Sequence, residues 1–369
     1  MIVWIIAGLL GMATGLRIGW ALVHRQSVVS GAMIVALGNL AVLAALNWPP
    51  LTLLVDTALG WPNIAIALSQ MALVMSAAGS CVMITSVAAT RGSGAIRRLA
   101  VIQYGIATVI AVVTLVLFLN DGRKPEMAPR EYLARIVGLP GEVLDWLVPM
   151  LYVLLALTVV AWVGMRLSSA SRRGRALLLF TAGMALIVVA STHLVTRAVG
   201  RGQMVGVGTA LSVLLGAMAV VAAGALLPSV EDWIGARREL RLIEPLRAEM
   251  ERRHPDIGIG VRPRGPLVFR VAERLSLISD ALYLEGAMAQ RLVVAGGEGP
   301  EVSADIGAAE QARAVATWIR AGRDEVGTAF PGRRWLRQPA DCPDRDWILE
   351  IARQYRALTN DSGVAAQSR

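Results

Sequence analysis

MVGVGTALSVLLGAMAVVAAGALLPSVEDWIGARRELRLIEPLRAEMERRH, from Met204 to His254, decides how this chain is read. Its first 24 residues, ending at Leu227, carry no charge. A helix rising ~1.5 Å per residue needs about 20 apolar residues to cross ~30 Å of hydrocarbon, so this run is a membrane span. Beyond Pro228 acids and arginines interleave with leucines, the pattern of a helix with one face in water. One short stretch therefore holds the boundary between a membrane half and a water-compatible half.

Working outward toward the N-terminus, six more apolar runs of spanning length appear: Ile2 to Val23, Val28 to Trp48, Ile64 to Ala89, Leu99 to Leu119, Leu144 to Met165 and Ala176 to Thr196. A soluble core helix rarely stays apolar on all faces for so long, and seven in succession exclude that reading. The expected fold is all-α: a polytopic membrane protein with seven transmembrane helices over residues 1–228, a small helical cytoplasmic domain over 229–358, and a disordered tail over 359–369.

Charge separates the same two halves. Before Pro228, fifteen basic residues face six acids, which accounts for the entire net charge of +9, while the remainder holds 21 of each sign. The excess sits on short connectors between spans, where it sets topology, so nucleic acid is not an expected partner. The connectors after the first, third and fifth spans carry Arg25, then Arg91, Arg97 and Arg98, then Arg166, Arg172, Arg173 and Arg175. Those connectors are expected on the cytoplasmic side, with the N-terminus outside as an uncleaved anchor and the C-terminal domain inside. Trp4, Trp20, Trp48, Trp61, Trp146, Trp162 and Trp233 lie near span ends, as interfacial indoles do.

Small residues recur along two spans. Gly11, Gly15 and Gly19 repeat every four residues in the first, and Gly208, Ser212, Gly216 and Gly224 form a similar stripe in the seventh. Such stripes suit a homo-oligomer interface or contacts between spans of one chain, and the second use is expected because seven helices must pack on each other. Intramembrane polar groups are few: Asn39 in the second span, Gln70 in the third, and no acid in any span. A proton- or sodium-coupled carrier usually needs an ionisable group near the midplane, so this absence weighs against a coupled pump.

Between the second and third spans, PPLTLLVDTALGWPN (Pro49 to Asn63) predicts a short surface helix over Thr52 to Leu59. Asp56 is expected to project from it, with Asn63 capping the helix that follows. With His193, Arg197 and Arg201 emerging on the same side, these residues make a candidate external polar cluster. It reads either as a ligand or ion site or as capping and surface solvation, and the second is favoured.

The internal part reads as four amphipathic segments: Val230 to His254, bent or interrupted at Pro245; Leu267 to Val294, with Leu275, Ile278, Leu282 and Met288 on one side; Ala304 to Val326; and Asp344 to Leu358, capped by Asp341 or Asp344. Cys81 and Cys342 lie in different environments and form no disulfide framework. There is no histidine pair at metal-ligand spacing, no phosphate-cradling glycine loop with a lysine, and no nucleophile elbow, so neither catalytic residues nor a cofactor is expected.

The external Asp56, Gly60, Pro62, Asn63 element, the RRLAVIQYG entry to the fourth span, and RLIEPLRAEMERRHPDI followed by RVAERLSLISDALYLEGA resemble a family of actinobacterial seven-helix membrane proteins labelled as transporters. The resemblance implies an internal domain of unknown function and brings no catalytic residues. Three function classes are weighed: receptor-like signalling or scaffolding through a cytoplasmic protein partner of residues 229–358, transport of a small solute, as the family label suggests, and last an intramembrane enzyme, for which no acid, serine–lysine pair or metal set is placed. The first is preferred.

Overall fold

The computed structural model describes residues 2–23, 27–88, 93–128, 131–132, 135, 144–198, 207–257, 266–292, 306–321, 333–340 and 342–367. The chain divides into two compact units, Met1–Pro228 and Ser229–Arg369. Every regular element among the described residues is a helix.

The first unit holds α1 (Ile2–Val23), α2 (Val28–Leu46), α3 (Pro49–Leu59), α4 (Ile64–Ala88), α5 (Ser93–Asn120), α6 (Leu144–Leu167), α7 (Arg172–Ala198) and the start of α8 (Val207–Arg253). Seven of these, all but α3, are long and apolar enough to cross a membrane, so the chain is a multi-pass membrane protein. The helices outrun their apolar cores at the charged ends. α5 starts at Ser93 and α7 at Arg172, a turn or more before the hydrocarbon-length runs, because a helix already nucleated adds Arg97, Arg98, Arg173 and Arg175 at little cost.

α4 is the hub. Of its apolar window 61% is buried, against 22% for α1 and 17% for α5, and it packs against α2, α3, α5 and α6. Small residues make this approach close. A Cβ on Gly79 would stand 2.8 Å from the Ala36 nitrogen of α2, and Ser76 Oγ donates to the Ala36 carbonyl at 2.9 Å. A second seam joins α7 to the apolar part of α8. There a Cβ on Gly183 would meet Val221 at 2.5 Å, and one on Gly224 would meet the Phe180 nitrogen at 2.6 Å. Apolar contact with another helix gains little over apolar contact with lipid, so such backbone approach and the hydrogen bond at Ser76 are what hold these helices together.

The expected use of the glycine stripes is thereby corrected. Gly224 packs within the chain, but an added Cβ on Gly11, Gly15, Gly19, Gly208 or Gly216 meets nothing within 4 Å. A period of four residues marks one helix face without saying which neighbour, if any, that face receives.

In the second unit the later part of α8 packs with α9 (Leu267–Leu292), α10 (Ala308–Ala321), the single turn α11 (Arg333–Leu336) and α12 (Asp344–Gln367). Its core takes Ile243, Leu246 and Met250 from α8, Val271, Leu275, Ile278 and Leu282 from α9, Val315 and Ile319 from α10, and Trp347, Ile348 and Ile351 from α12. The three-and-four spacing on every helix is that of an amphipathic stripe closing on its neighbours. Three of the four α9 positions expected inside are there, whereas Met288 is 40% exposed, one turn past the point where the core ends.

Two further expectations change, the interruption at Pro245 and the disordered tail from Thr359. α8 continues unbroken through both Pro228 and Pro245, each of which costs one backbone donor that the bonds of the flanking turns outweigh. α12 runs on to Gln367 where a disordered tail was expected from Thr359, since extending a formed helix needs no apolar anchor. Asp344 lies in the first turn of α12, favourably placed on the helix dipole, and Asp341 falls outside the described residues.

Candidate functional site

The external cluster centres on a buried carboxylate. Pro49 and Pro50 start α3, where their missing N–H groups would have no partner in any case. Gly60 ends it in the left-handed conformation at φ 64°, and the chain turns back through Trp61 and Pro62. Asn63 is the one described non-glycine residue with positive φ, at 63°, a region that asparagine tolerates better than most. This turn brings the first amides of α4 onto Asp56. Asn63 N–H donates to Asp56 Oδ2 at 3.0 Å and Ala65 N–H donates to Oδ1 at 2.8 Å. Asp56, only 5% exposed, is therefore the cap of α4, reached from the preceding helix.

Asn63 then does a different job from the capping expected of it. Its Nδ2 donates to the Pro125 carbonyl at 2.9 Å, and its Oδ1 accepts from Met127 N–H at 3.0 Å. One fully buried side chain thus pins the segment that leaves α5. Arg123 of that segment lies 4.9 Å over the Trp61 ring, a cation–π contact that closes the same junction. At the other end of α3, Thr52 Oγ1 donates to the Leu46 carbonyl at 2.7 Å and fixes the corner with α2. The assembly is a fastener that ties α2, α3, α4 and the 121–128 segment together.

Beside it lies a cleft of about 190 Å³ whose walls include Thr52, Asp56, Glu126, Met127 and Glu131. Asp56 does not project into solvent as expected, and both of its oxygens already accept backbone hydrogen bonds. His193 and Arg197 are half-buried on α7 and are not among the partners that hold Asp56 or Asn63. Arg201 lies outside the described residues.

Of the intramembrane polar residues, Asn39 Nδ2 donates to the Val35 carbonyl of its own helix at 2.8 Å, and Gln70 is half-buried in α4. Sequence reading passed over a polar pair between helices. Gln103 Nε2 of α5 donates to Tyr152 Oη of α6 at 2.9 Å. Only the amide in RRLAVIQYG hinted at it, since tyrosine on a span is usually counted as apolar.

The second unit has its own buried polar junction. His254 Nε2 lies 2.9 Å from Glu285 Oε1, both almost fully buried, and Arg253 stands 4.0 Å from the same carboxylate while donating to the Ile319 carbonyl. Farther up the same two helices, Glu244 accepts from Arg274 and from Arg247, each at 2.7 Å. The hydrogen bond from Arg247, opposed by partial burial and aided by both arginine charges, holds the Glu244 carboxyl below the ordinary range. These partners fall within the two quoted stretches RLIEPLRAEMERRHPDI and RVAERLSLISDALYLEGA. The motif pair is thus explained as the α8–α9 interface, two polar junctions flanking an apolar seam.

Among the described residues no group of three or more histidine, cysteine, aspartate or glutamate side chains could hold a metal ion. Compared with known proteins, the chain matches no family model, no curated protein and no solved structure.

Proposed function

We propose that this is a receptor-like signalling or scaffolding protein of the cell membrane, non-enzymatic, with its N-terminus outside and residues 229–358 engaging a cytoplasmic protein partner. The observation that carries this reading is the engagement of Asp56. Among the residues whose burial is described it is the one acid buried at the span ends, and both its oxygens are held by backbone amides. A coupled carrier needs an ionisable group that can exchange partners during transport, and a saturated cap is poorly suited to that. The same helix, α8, carries the last apolar run and the first core residues of the second unit, Ala236 and Ile243. A ligand that favoured one arrangement of the spans over another would act on the partner through that helix.

Transport of a small solute is the second reading, and the Gln103–Tyr152 pair is the observation in its favour, since a polar pair between two spans is a candidate point on a solute path. The two readings separate by deletion. On the signalling account, Asp56→Asn in the full chain changes photo-crosslinking between the internal domain and its partner, and removal of Glu239–Arg369 abolishes function. Solute flux into vesicles that survives that deletion and falls with Gln103→Leu would establish transport instead.

A further inference from the structure

The second unit is neutral overall, yet its arginines are not evenly spread. A cleft of about 700 Å³ is walled by Arg237 and Arg241 of α8, Arg274 of α9 and Arg356 of α12, with Glu244 as the one acid on its lining. That carboxylate is already committed, bridging Arg247 and Arg274. It fixes the Arg274 guanidinium in the wall and leaves the cleft with a positive excess. Arg237 and Arg241 stand one turn apart on α8, so their heads reach the same opening. Among the described residues neither Arg241 nor Arg356 has a carboxylate partner, and the Arg237 guanidinium lies 5.1 Å over the Trp233 ring. With Glu244 shared between Arg247 and Arg274, the guanidiniums of Arg237, Arg241 and Arg356 leave the cavity a net positive lining, which favours an anion.

The helix that supplies two of them also says where such an anion would be met. Val230, Trp233 and Ile234 are all exposed on α8, and they precede Arg237 and Arg241 at three-, four- and seven-residue spacing on one face. Exposed valine, tryptophan and isoleucine followed by arginines is the order of a helix leaving a bilayer through its headgroup layer. Arg237 stands ten residues after Leu227, ~15 Å of helix. Guanidinium is the side-chain group whose planar fork matches phosphate oxygens best.

We infer that the cleft between Arg237, Arg241, Arg274 and Arg356 binds a multiply charged phosphate group, carried either by a membrane lipid headgroup or by a soluble phosphate compound. Arg241 and Arg356 supply the free forks, Arg274 is held in place by Glu244, and Arg237 lies one turn before Arg241 on α8. The inference is independent of whether the protein signals or transports.

The test uses the full chain in phosphatidylcholine nanodiscs. Inorganic pyrophosphate is titrated by calorimetry, and in a parallel arm native mass spectrometry follows retention of phosphatidic acid against phosphatidylcholine. We expect at least one probe to bind, with affinity lowered about tenfold or more in Arg241→Gln/Arg356→Gln and weakened by added salt. Arg238→Gln, which removes the same charge one residue outside the cleft, is expected to change affinity less than about twofold. Because the double variant could disturb α12, Arg356→Gln alone is measured as well, and a several-fold loss is expected from this exposed side chain. Binding of both probes assigns the phosphate itself as ligand, and binding of phosphatidic acid alone assigns a lipid headgroup. If neither probe binds, or if Arg238→Gln loses as much as the double variant, the site does not exist.

Discussion

The two units of this chain hold themselves together with different polar chemistry. In the membrane unit most polar side chains that hold the helices together bind backbone, Asp56 to two amides, Asn63 to an amide and a carbonyl, Thr52 and Ser76 to carbonyls, with Gln103–Tyr152 the side-chain pair between helices. In the second unit polar side chains more often bind one another, as opposite charges in Arg274–Glu244, Arg345–Glu239 and Arg253–Glu249 and as a hydrogen bond in His254–Glu285. Apolar packing differs in the same sense, through small residues at backbone distance in the first unit and through leucine, isoleucine and tryptophan in the second. The contrast follows from the solvent. In lipid every backbone group must be satisfied internally and burying an alkyl chain gains nothing, whereas in water alkyl burial drives folding and charges are cheap to keep at the surface.

The sharpest way to break this comparison is to add volume to a small-residue seam. Gly79→Leu places side-chain atoms where the Ala36 backbone already stands, and nothing flexible is there to yield. We expect a loss of about 3 kcal/mol or more, read as a collapse of thermal stability in detergent. Gly15→Leu, on a face where an added Cβ meets nothing, is expected to change stability by less than about 0.5 kcal/mol. Equal effects from the two substitutions would mean that the seams have been misidentified.

Next in size is the fastener. Asp56→Ala leaves the Asn63 and Ala65 amides without acceptors in a buried site and is expected to cost about 2–4 kcal/mol. Asn63→Ala should cost about 1–3 kcal/mol and free the 125–127 segment, read as faster amide exchange at Met127. In the second unit Glu285→Leu strands the buried His254 and should cost a comparable amount. If the Asp56 variant melted with the native chain, the cap would be incidental.

What the sequence allowed and what it withheld follow the same division. The seven spans were legible because bilayer thickness fixes the length of an apolar run, whatever its neighbours are. The inward face of α9 was legible through Leu275, Ile278 and Leu282, though not at Met288, because helical periodicity reports a buried stripe directly. The fastener was only half legible. PPLTLLVDTALGWPN announced a turn and an acid, but Asp56 caps a helix eight residues ahead only because Gly60 and Asn63 are left-handed, and the partners of Asn63 lie more than sixty residues away. The glycine seams were misread because Gly79 and Gly183 carry no repeat, while the regular stripe of α1 faces away from the bundle. The arginine cleft was invisible because its walls come from three helices of a segment whose charges cancel.

The smallest expected effect concerns acidity. Because the Glu244 carboxyl is held below its ordinary range in the folded chain, its contribution is present above the unfolded value and is lost as pH falls through about 4 toward the depressed one. The pair is partly open to water, so the change is a slight one. Unfolding of the full chain, followed by the fluorescence of buried Trp347 of the second unit, should shift to lower denaturant below that pH in the native sequence more than in Glu244→Gln.

Impermeant thiol labelling of intact cells tests the arrangement on which the signalling account stands. In a Cys81→Ser/Cys342→Ser background, Gly94→Cys and Ser169→Cys are predicted to stay unlabelled until the membrane is permeabilised, and Glu126→Cys, on the segment held by Asn63, to label at once. Immediate labelling at Gly94→Cys or Ser169→Cys, with protection at Glu126→Cys, would place the second unit outside the cell and contradict the account.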